Sequence, residues 1–442
     1  WLMTDLSIRL RQAMQPWHTA PAWRIAFSGG LDSSVLLHLL ADWARSEGLP
    51  PLSAIHVHHG LQPAADAWPE HCAQFCARLD IPLEVVRVQV APGASLEQAA
   101  RRVRYAAFAE RLGSGEVLLG AQHRDDQAET LLFRLLRGAG VRGLAAMPAS
   151  RPLGQGSLVR PLLDCSRAEL QAYAQSHGLA WVEDPSNADE RFSRNFLRRQ
   201  VMPLLAERWP QVTASLARSA GHLGEAQQLL EELAEMDLLA ARGVCALPWL
   251  PLPSLDLSAV TALSDARQRN LLRHWLAPLT RLPDSDHWAG WCDLRDAATD
   301  ATPIWKLTDG ELHRADGRLW WLSGEWLRPL DPLDLACDSF SESVELPGNG
   351  HVHLRGELPQ GRWHLRYRQG GESLQVPGRG RRDLKRLLNE MRVPAFVRPR
   401  LPLLFDGDEL MAVANLSQLS EIQAGGATLY WSPPIGAQGL SW

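Results

Sequence analysis

Trp23-Arg24-Ile25-Ala26-Phe27-Ser28-Gly29-Gly30-Leu31-Asp32-Ser33 runs from an apolar stretch through a two-glycine turn into a helical pattern, Ser33–Glu47. A strand, a glycine turn and a helix amino terminus make an anion cradle. The glycines let backbone N–H groups approach phosphate oxygens, Ser28 and Ser33 add hydroxyl donors, and the helix dipole favours negative charge. The candidate cradle is therefore Ser28, Gly29, Gly30, Leu31, Asp32 and Ser33. Asp32 would repel a phosphate unless a cation bridged them, which points to Mg²⁺. The segment lacks the glycine spacing and the lysine of a Walker A loop.

Outward from this turn, further short apolar runs follow: 52–57 (LSAIHV), 83–88 (LEVVRV) and 116–121 (EVLLGA). Helical patterns separate them at Ala67–Leu79 and Ser95–Arg111. Such alternation predicts an α/β fold with a doubly wound parallel sheet, whose ligands sit beyond the carboxyl ends of the strands. The fourth run ends in Gln122-His123-Arg124-Asp125-Asp126-Gln127-Ala128-Glu129-Thr130. Asp126 and Glu129, three apart at a helix start, would share a face and point toward the cleft that holds Asp32. Acids at a helix start also serve as ordinary caps. If the two strand ends are neighbours, three carboxylates meeting a triphosphate suit Mg²⁺, with Asp32 and Asp126 as metal ligands.

From about residue 212 the pattern becomes long and helical, and Pro-rich breaks at 247–258 precede another helix near Asp265–Leu276. Residues 303–347 read as short strands or loops, and the last segment carries one basic helix candidate, Arg381–Arg392. The expected domains are 1–210, the α/β domain; 211–345, mainly helical; and 346–442, small and α+β. Across 442 residues the net charge is −5, yet residues 366–400 hold ten Lys or Arg against three acids. A local balance of +7 suits a polyanion. Six scattered cysteines exclude a disulfide scaffold, and the i,i+4 pair Cys72/Cys76 reads as reduced core thiols, which places the chain in the cytoplasm. No apolar run is long enough for a membrane span, and the first seventeen residues lack the apolar core of a secretory leader. Met3 is the expected natural start.

Ser28–Ser33 resembles the PP-loop of the N-type ATP pyrophosphatases, which split ATP between the α and β phosphates. The second stretch, H-x-D-D-Q-A-E-T from His123 to Thr130, is similar to a signature shared by the tRNA(Ile)-lysidine synthases and tRNA 2-thiolation enzymes. Glu97-Gln98-Ala99-Ala100-Arg101-Arg102-Val103-Arg104-Tyr105 resembles the helix that those families place beside the site. Arg160-Pro161-Leu162-Leu163, Asp184-Pro185-Ser186-Asn187 and Arg194-Asn195-Phe196-Leu197-Arg198 follow the lysidine synthase pattern. Gly370-Gly371-Glu372, Arg381-Arg382-Asp383-Leu384-Lys385-Arg386 and Val393-Pro394 resemble the C-terminal domain of its longer members.

The resemblance implies ATP and Mg²⁺ at the loop, free L-lysine and a CAU-anticodon tRNA(Ile) as substrates, and an adenylated wobble cytidine as intermediate. It implies catalytic roles for Asp32, Asp126, Glu129 and His123. It implies substrate contacts at Arg104, Asp184, Arg194 and Arg198, and tRNA contacts at Arg381, Arg382, Lys385 and Arg386. Which acid or histidine serves as general base stays open, and so does the oligomeric state, a homodimer included. A thiolase would need a persulfide cysteine or a cysteine-held cluster, and no C-x-x-C exists here. A small-molecule amidotransferase would leave the basic C-terminal segment without a task, and a dead nucleotide fold would have no use for the three acids.

Overall fold

The computed structural model describes residues 2–60, 66–90, 96–281, 288–298, 301–337, 343–422 and 425–436. The chain forms two compact units, residues 1–229 and 230–442. The division falls within one continuous helix, Val212–Arg242.

The first unit alternates as its sequence predicts. In chain order it holds α1 (Leu2–Met14), β1 (Trp23–Ala26), α2 (Leu31–Ser46), β2 (Leu52–His58), α3 (Trp68–Leu79) and β3 (Leu83–Arg87). Then come α4 (Leu96–Arg111), β4 (Val117–Leu119), α5 (Arg124–Leu135), α6 (Val141–Leu144), β5 (Ser150–Leu153), β6 (Gly156–Val159) and α7 (Arg167–Ser176). Ser95, the expected start of α4, and the side chain of Glu97 lie outside the described residues. The sheet order is β3-β2-β1-β4-β6-β5, all parallel except the β5–β6 hairpin.

Strands inside a doubly wound sheet bury both faces and read as continuous apolar runs. Ile25, Val117 and Leu119 pack under Leu36, Leu37 and Leu40 of α2 on one face. Ile55, Val57, Leu118 and Leu158 pack against Phe108 of α4 on the other. Each such side chain contributes about 1.5–3 kcal/mol by leaving water. The chain runs to β2 on one side of β1 and to β4 on the other. That reversal opens a crevice at the carboxyl ends of β1 and β4.

In the second unit the helix Asp265–Leu276 appears with the bounds its periodicity predicts. It packs with Ala289–Asp296 on a four-stranded antiparallel sheet of Ser254–Asp256, Arg318–Leu322, Glu311–Ala315 and Ile304–Lys306. One of those strands lies inside the Pro-rich break. Beyond it, a six-stranded and a four-stranded sheet share a core that includes Trp363, Leu404 and Trp431.

The expected basic helix Arg381–Arg392 needs correction. Arg381 and Arg382 belong to a strand, Gly380–Asp383, paired with Ser373–Val376, and the helix spans Leu384–Glu390. Asp383 caps it, accepting a 3.0 Å bond from the Arg386 N–H, so helical geometry begins only after that residue.

Candidate active site

The turn after β1 is built by its own hydroxyls. The Gly30 N–H donates to Ser28 Oγ at 3.2 Å, the Ser28 and Ser33 hydroxyls lie 3.0 Å apart, and Ser33 Oγ donates to the Gly30 carbonyl at 3.1 Å. Gly29 takes φ +81°, where a side chain is strained, and an added Cβ would lie 3.0 Å from Cys72 Sγ and 3.2 Å from Val182 Cγ2. Gly30 sits at the amino cap of the 16-residue α2, with no side-chain cap. The cap is thus left to backbone donors and the helix dipole, the arrangement that receives an anion.

Asp32 lies on the first turn of α2. One of its oxygens, Oδ1, is buried without a hydrogen-bond partner. The other lies 3.6 Å from His123 Nε2 and 3.5 Å from Arg167 Nη1. His123 is 1% exposed and caps α5 in a reciprocal box: its N–H donates to Asp126 Oδ2 at 3.2 Å, and its Nδ1 accepts from the Asp126 N–H at 3.4 Å. Burial disfavours the charged imidazole, but the carboxylates of Asp32, Asp126 and Asp125 outweigh it and raise the His123 pKa above its ordinary value. A protonated Nδ1 would forfeit the 3.4 Å cap. The three carboxylates are the stronger influence, because that bond is long and neutral.

Asp126 and Glu129 do share a face, but two arginines occupy it. Arg198 grips Glu129 with both prongs, Nε to Oε1 at 2.7 Å and Nη2 to Oε2 at 2.8 Å, and reaches Asp126 Oδ1 at 3.1 Å. Arg194 bonds the same Asp126 oxygen at 3.1 Å and Glu129 Oε2 at 3.3 Å. Burial favours the neutral acid of Asp126, yet His123, Arg194 and Arg198 hold its pKa below the ordinary value. Burial opposes the charge of Arg198 as well, and Glu129 and Asp126 overcome it and raise that pKa. The arginines stand on a short helix, Ser193–Phe196, that widens into a π-turn, Leu197–Val201. Asn195 ties this element to the preceding loop by donating to the carbonyls of Ser186 and Asp189 at 2.8 and 2.9 Å.

Ser28, Asp32, Asp126, Arg167 and Arg198 line one cleft of about 760 Å³, together with Arg104, Asp184 and three histidines of β2 and its end, His56, His58 and His59, whereas His123, Glu129 and Arg194 are not part of its lining. Asp184 caps the turn Pro185–Ala188, accepting the Ser186 N–H at 2.8 Å. Gly29 faces α3 instead. The expected tRNA contacts Arg381, Arg382, Lys385 and Arg386 are exposed and belong to the second unit. Arg167 and the three histidines are parts of the site that spacing missed; nothing in the sequence separates Arg167 from an ordinary basic residue early in a helix. Cys72 and Cys76 are free and buried, with thiols pushed up to about 12 and about 11 by burial, as expected of core thiols.

Residues 2–205 match the PP-loop domain family, 255–320 the TilS substrate binding domain and 363–431 the TilS substrate C-terminal domain. A tRNA(Ile)-lysidine synthase of Pseudomonas fluorescens (strain Pf0-1) is 63% identical over 99% of this chain and 98% of its own length. The chain belongs to the tRNA(Ile)-lysidine synthase family. A synthase of the same name from Pseudomonas aeruginosa is 62% identical over 99% of both chains, and one from Escherichia coli O157:H7 is 41% identical over 88% of this chain and 91% of its own. As a lysidine synthase family member, the chain carries both family-specific modules after its PP-loop domain.

The Mg²⁺ expected for this family finds partial support in the donor set. Asp32 fits a hard cation, since its Oδ1 is buried and has no other partner. Asp126 fits less well, because Arg194, Arg198 and the His123 N–H already occupy its two oxygens. Among the described residues, no three His, Cys, Asp or Glu side chains gather as a ready metal cage. Phosphate oxygens would have to complete the ligand shell.

Proposed function

We propose that this chain adenylates the wobble cytidine of a CAU-anticodon tRNA(Ile) with ATP and replaces the adenylate with free lysine, giving lysidine. The observation that carries this reading is the cleft in which the PP-loop, with the unpartnered Asp32 oxygen, meets the Asp126–Glu129–Arg194–Arg198 cluster. The family relationship supplies the substrates.

ATP phosphates are received by the loop's backbone donors, the Ser28 and Ser33 hydroxyls and the amino terminus of α2. Asp32, with Asp126 as a second ligand once an oxygen is released, would hold Mg²⁺. When bound, the ion supplies charge neutralisation at the phosphates. The C2 carbonyl oxygen of cytidine attacks the α-phosphorus, and pyrophosphate leaves. The ε-amine of lysine then attacks C2, the C2–O bond breaks, and AMP leaves carrying that oxygen and its electron pair. The amine must first lose a proton, and Asp126, Glu129 and His123 are the groups present to take it. The arginines and acids are also complementary to the carboxylate and ammonium of a free amino acid. A cytidine in a single-stranded anticodon loop can be unstacked and presented to the cleft. The expected outcome is a codon switch from AUG to AUA. The free cysteines support a reducing, cytoplasmic setting, and among the described residues no helix is long and apolar enough to cross a membrane.

The test is lysine ligation: protein, ATP, Mg²⁺, labelled lysine and an unmodified CAU-anticodon tRNA(Ile), with Asp32→Ala alongside. Label that survives ester hydrolysis, absent with the variant, supports the reading. Pyrophosphate release without label in the tRNA keeps the adenylation and removes lysine as the nucleophile.

A further inference from the structure

Two motifs remote in sequence meet around Tyr105, which lines a wall of the cleft, and the reaction above uses neither. Arg101 and Tyr105 come from α4, Arg160 follows β6, and Arg151 lies in β5. The Arg101 guanidinium lies over the Tyr105 ring at 4.9 Å from its centroid, and that of Arg151 lies over it at 5.2 Å. Arg101 Nη2 also reaches the Tyr105 hydroxyl at 3.4 Å. Arg160 is 4% exposed, donates to the Pro148 carbonyl at 2.7 Å, and keeps its Nε buried without a partner.

The charge here is one-sided. Among the described residues, no carboxylate forms an ion pair with Arg101, Arg151 or Arg160. Burial pushes the Tyr105 hydroxyl pKa up, but Arg101, Arg160 and Arg104 together outweigh that and lower it. For Arg160 itself, burial lowers the pKa and Arg151 and Arg101 lower it further, against the pull of Tyr105. A folded chain holds like charges together at a cost, and a ligand of opposite charge recovers that cost. The stacked ring also holds the guanidiniums in place, so less rotamer entropy is lost when they grip an anion.

We propose that Arg101 and Arg151, held in place by the Tyr105 ring, seat a phosphodiester of the RNA strand beside the nucleotide presented to the cleft. The inference rests on the RNA substrate proposed above. ATP is the weaker occupant: its phosphates have the loop after β1 and the amino terminus of α2, whereas this cluster is carried by α4, β5 and the end of β6. Tyr105 itself lines the cleft wall, as does Arg104. A strand whose base enters the cleft must leave its backbone outside it, and a pre-ordered pair of arginines on the Tyr105 ring matches phosphate geometry.

The experiment compares wild type with Arg101→Gln/Arg151→Gln and Arg101→Lys/Arg151→Lys. Arg101 is exposed and Arg151 half-buried, and neither bonds the PP-loop or the Asp126–Glu129 cluster. The probe is an anticodon stem-loop RNA with a CAU loop, and its Kd is measured against salt without ATP or lysine. The glutamine variant should raise Kd roughly tenfold. The slope of log K against log salt should fall by about 0.7 for each single-strand phosphate that is no longer neutralised. The lysine variant should keep the slope while binding more weakly, because it retains charge without the fork. In full reactions with tRNA, the KM for tRNA should rise while the KM values for ATP and lysine stay fixed. An unchanged Kd and slope overturns the proposal, and so does a raised KM for ATP alone. If wild type binds the stem-loop with this pattern yet ligates no lysine, the proposed function fails and the phosphate seat stands. Tyr105→Phe, which keeps the ring, should retain the slope; a flattened slope there would overturn the positioning role given to the ring stack.

Discussion

Arg198 and Glu129 are joined by two parallel hydrogen bonds, 2.7 and 2.8 Å, between side chains 69 residues apart in sequence. Glu129 is 3% exposed, so its charge depends on Arg198 and, at 3.3 Å, on Arg194. Removing one partner of a buried pair leaves an uncompensated charge, which costs more than the pair itself contributes. Arg198→Ala should therefore lower unfolding stability by about 3 kcal/mol and abolish lysine ligation. Denaturant unfolding and the labelled-lysine assay check the two effects separately. An Arg198→Ala enzyme of wild-type stability would mean that Arg194 alone suffices for Glu129.

Gly29→Ala tests the loop. The substitution puts a side chain at φ +81° and a Cβ 3.0 Å from Cys72 Sγ. Strain of about 1–2 kcal/mol is expected, together with a shifted loop. Displacement of a phosphate-binding turn by a fraction of an ångström should cut kcat/KM for ATP roughly a hundredfold. ATP titrations of pyrophosphate release would read this, and affinity for the tRNA should be untouched.

His123 gives a pH dependence of definite sign. Its folded pKa is raised above the ordinary 6.5. The group therefore contributes stability that is fully present below pH 6.5 and is lost as pH rises through the folded value. His123→Asn keeps a capping side chain without the charge. The stability difference between wild type and this variant, nucleotide-free, should be larger at pH 6 than at pH 8.5. Asp126, with its pKa lowered from 3.8, contributes stability present above pH 3.8 and lost only below it, so it leaves this window undisturbed. A difference that grows toward alkaline pH would contradict the assignment.

Neutralising Arg381, Arg382, Lys385 and Arg386 together should weaken tRNA binding and flatten its salt dependence, by about 0.7–0.9 in slope for each phosphate left without its cation. Arg381 is partly engaged, donating to Ser373 Oγ at 2.7 Å, and Arg386 pairs with Glu390 at 3.4 Å. Arg382 and Lys385 should thus contribute most. Filter binding across a salt series checks this, and an unchanged slope removes the patch from the interface.

The catalytic half of the fold was legible because its signals are local. An apolar run, two glycines and an acid at a helix start occupy eleven consecutive residues, Trp23–Ser33. The Asp265–Leu276 helix was legible for the same reason, with Ser264 as its cap. The basic helix was misjudged because charge spacing alone does not separate a strand from a helix, whereas Gly380 and the capping Asp383 do. The partners of Asp126 and Glu129 were invisible: Arg194 and Arg198 were expected to touch substrate, and only folding brings them against those acids. The sheet strand Ser254–Asp256 was hidden by its prolines, which read as a break although it pairs on one side alone, with Arg318–Trp320.

The Gly29 carbonyl accepts a 2.9 Å bond from the N–H of Val182, two residues before Asp184. The turn proposed to receive ATP and the segment leading to the two arginines are thus stitched together through the main chain, a link that only proline at 182, among side-chain changes there, would remove by deleting the N–H. Substitutions around 182–184 and in the 28–33 loop should accordingly be non-additive, so that a change made for one substrate is felt in the handling of the other.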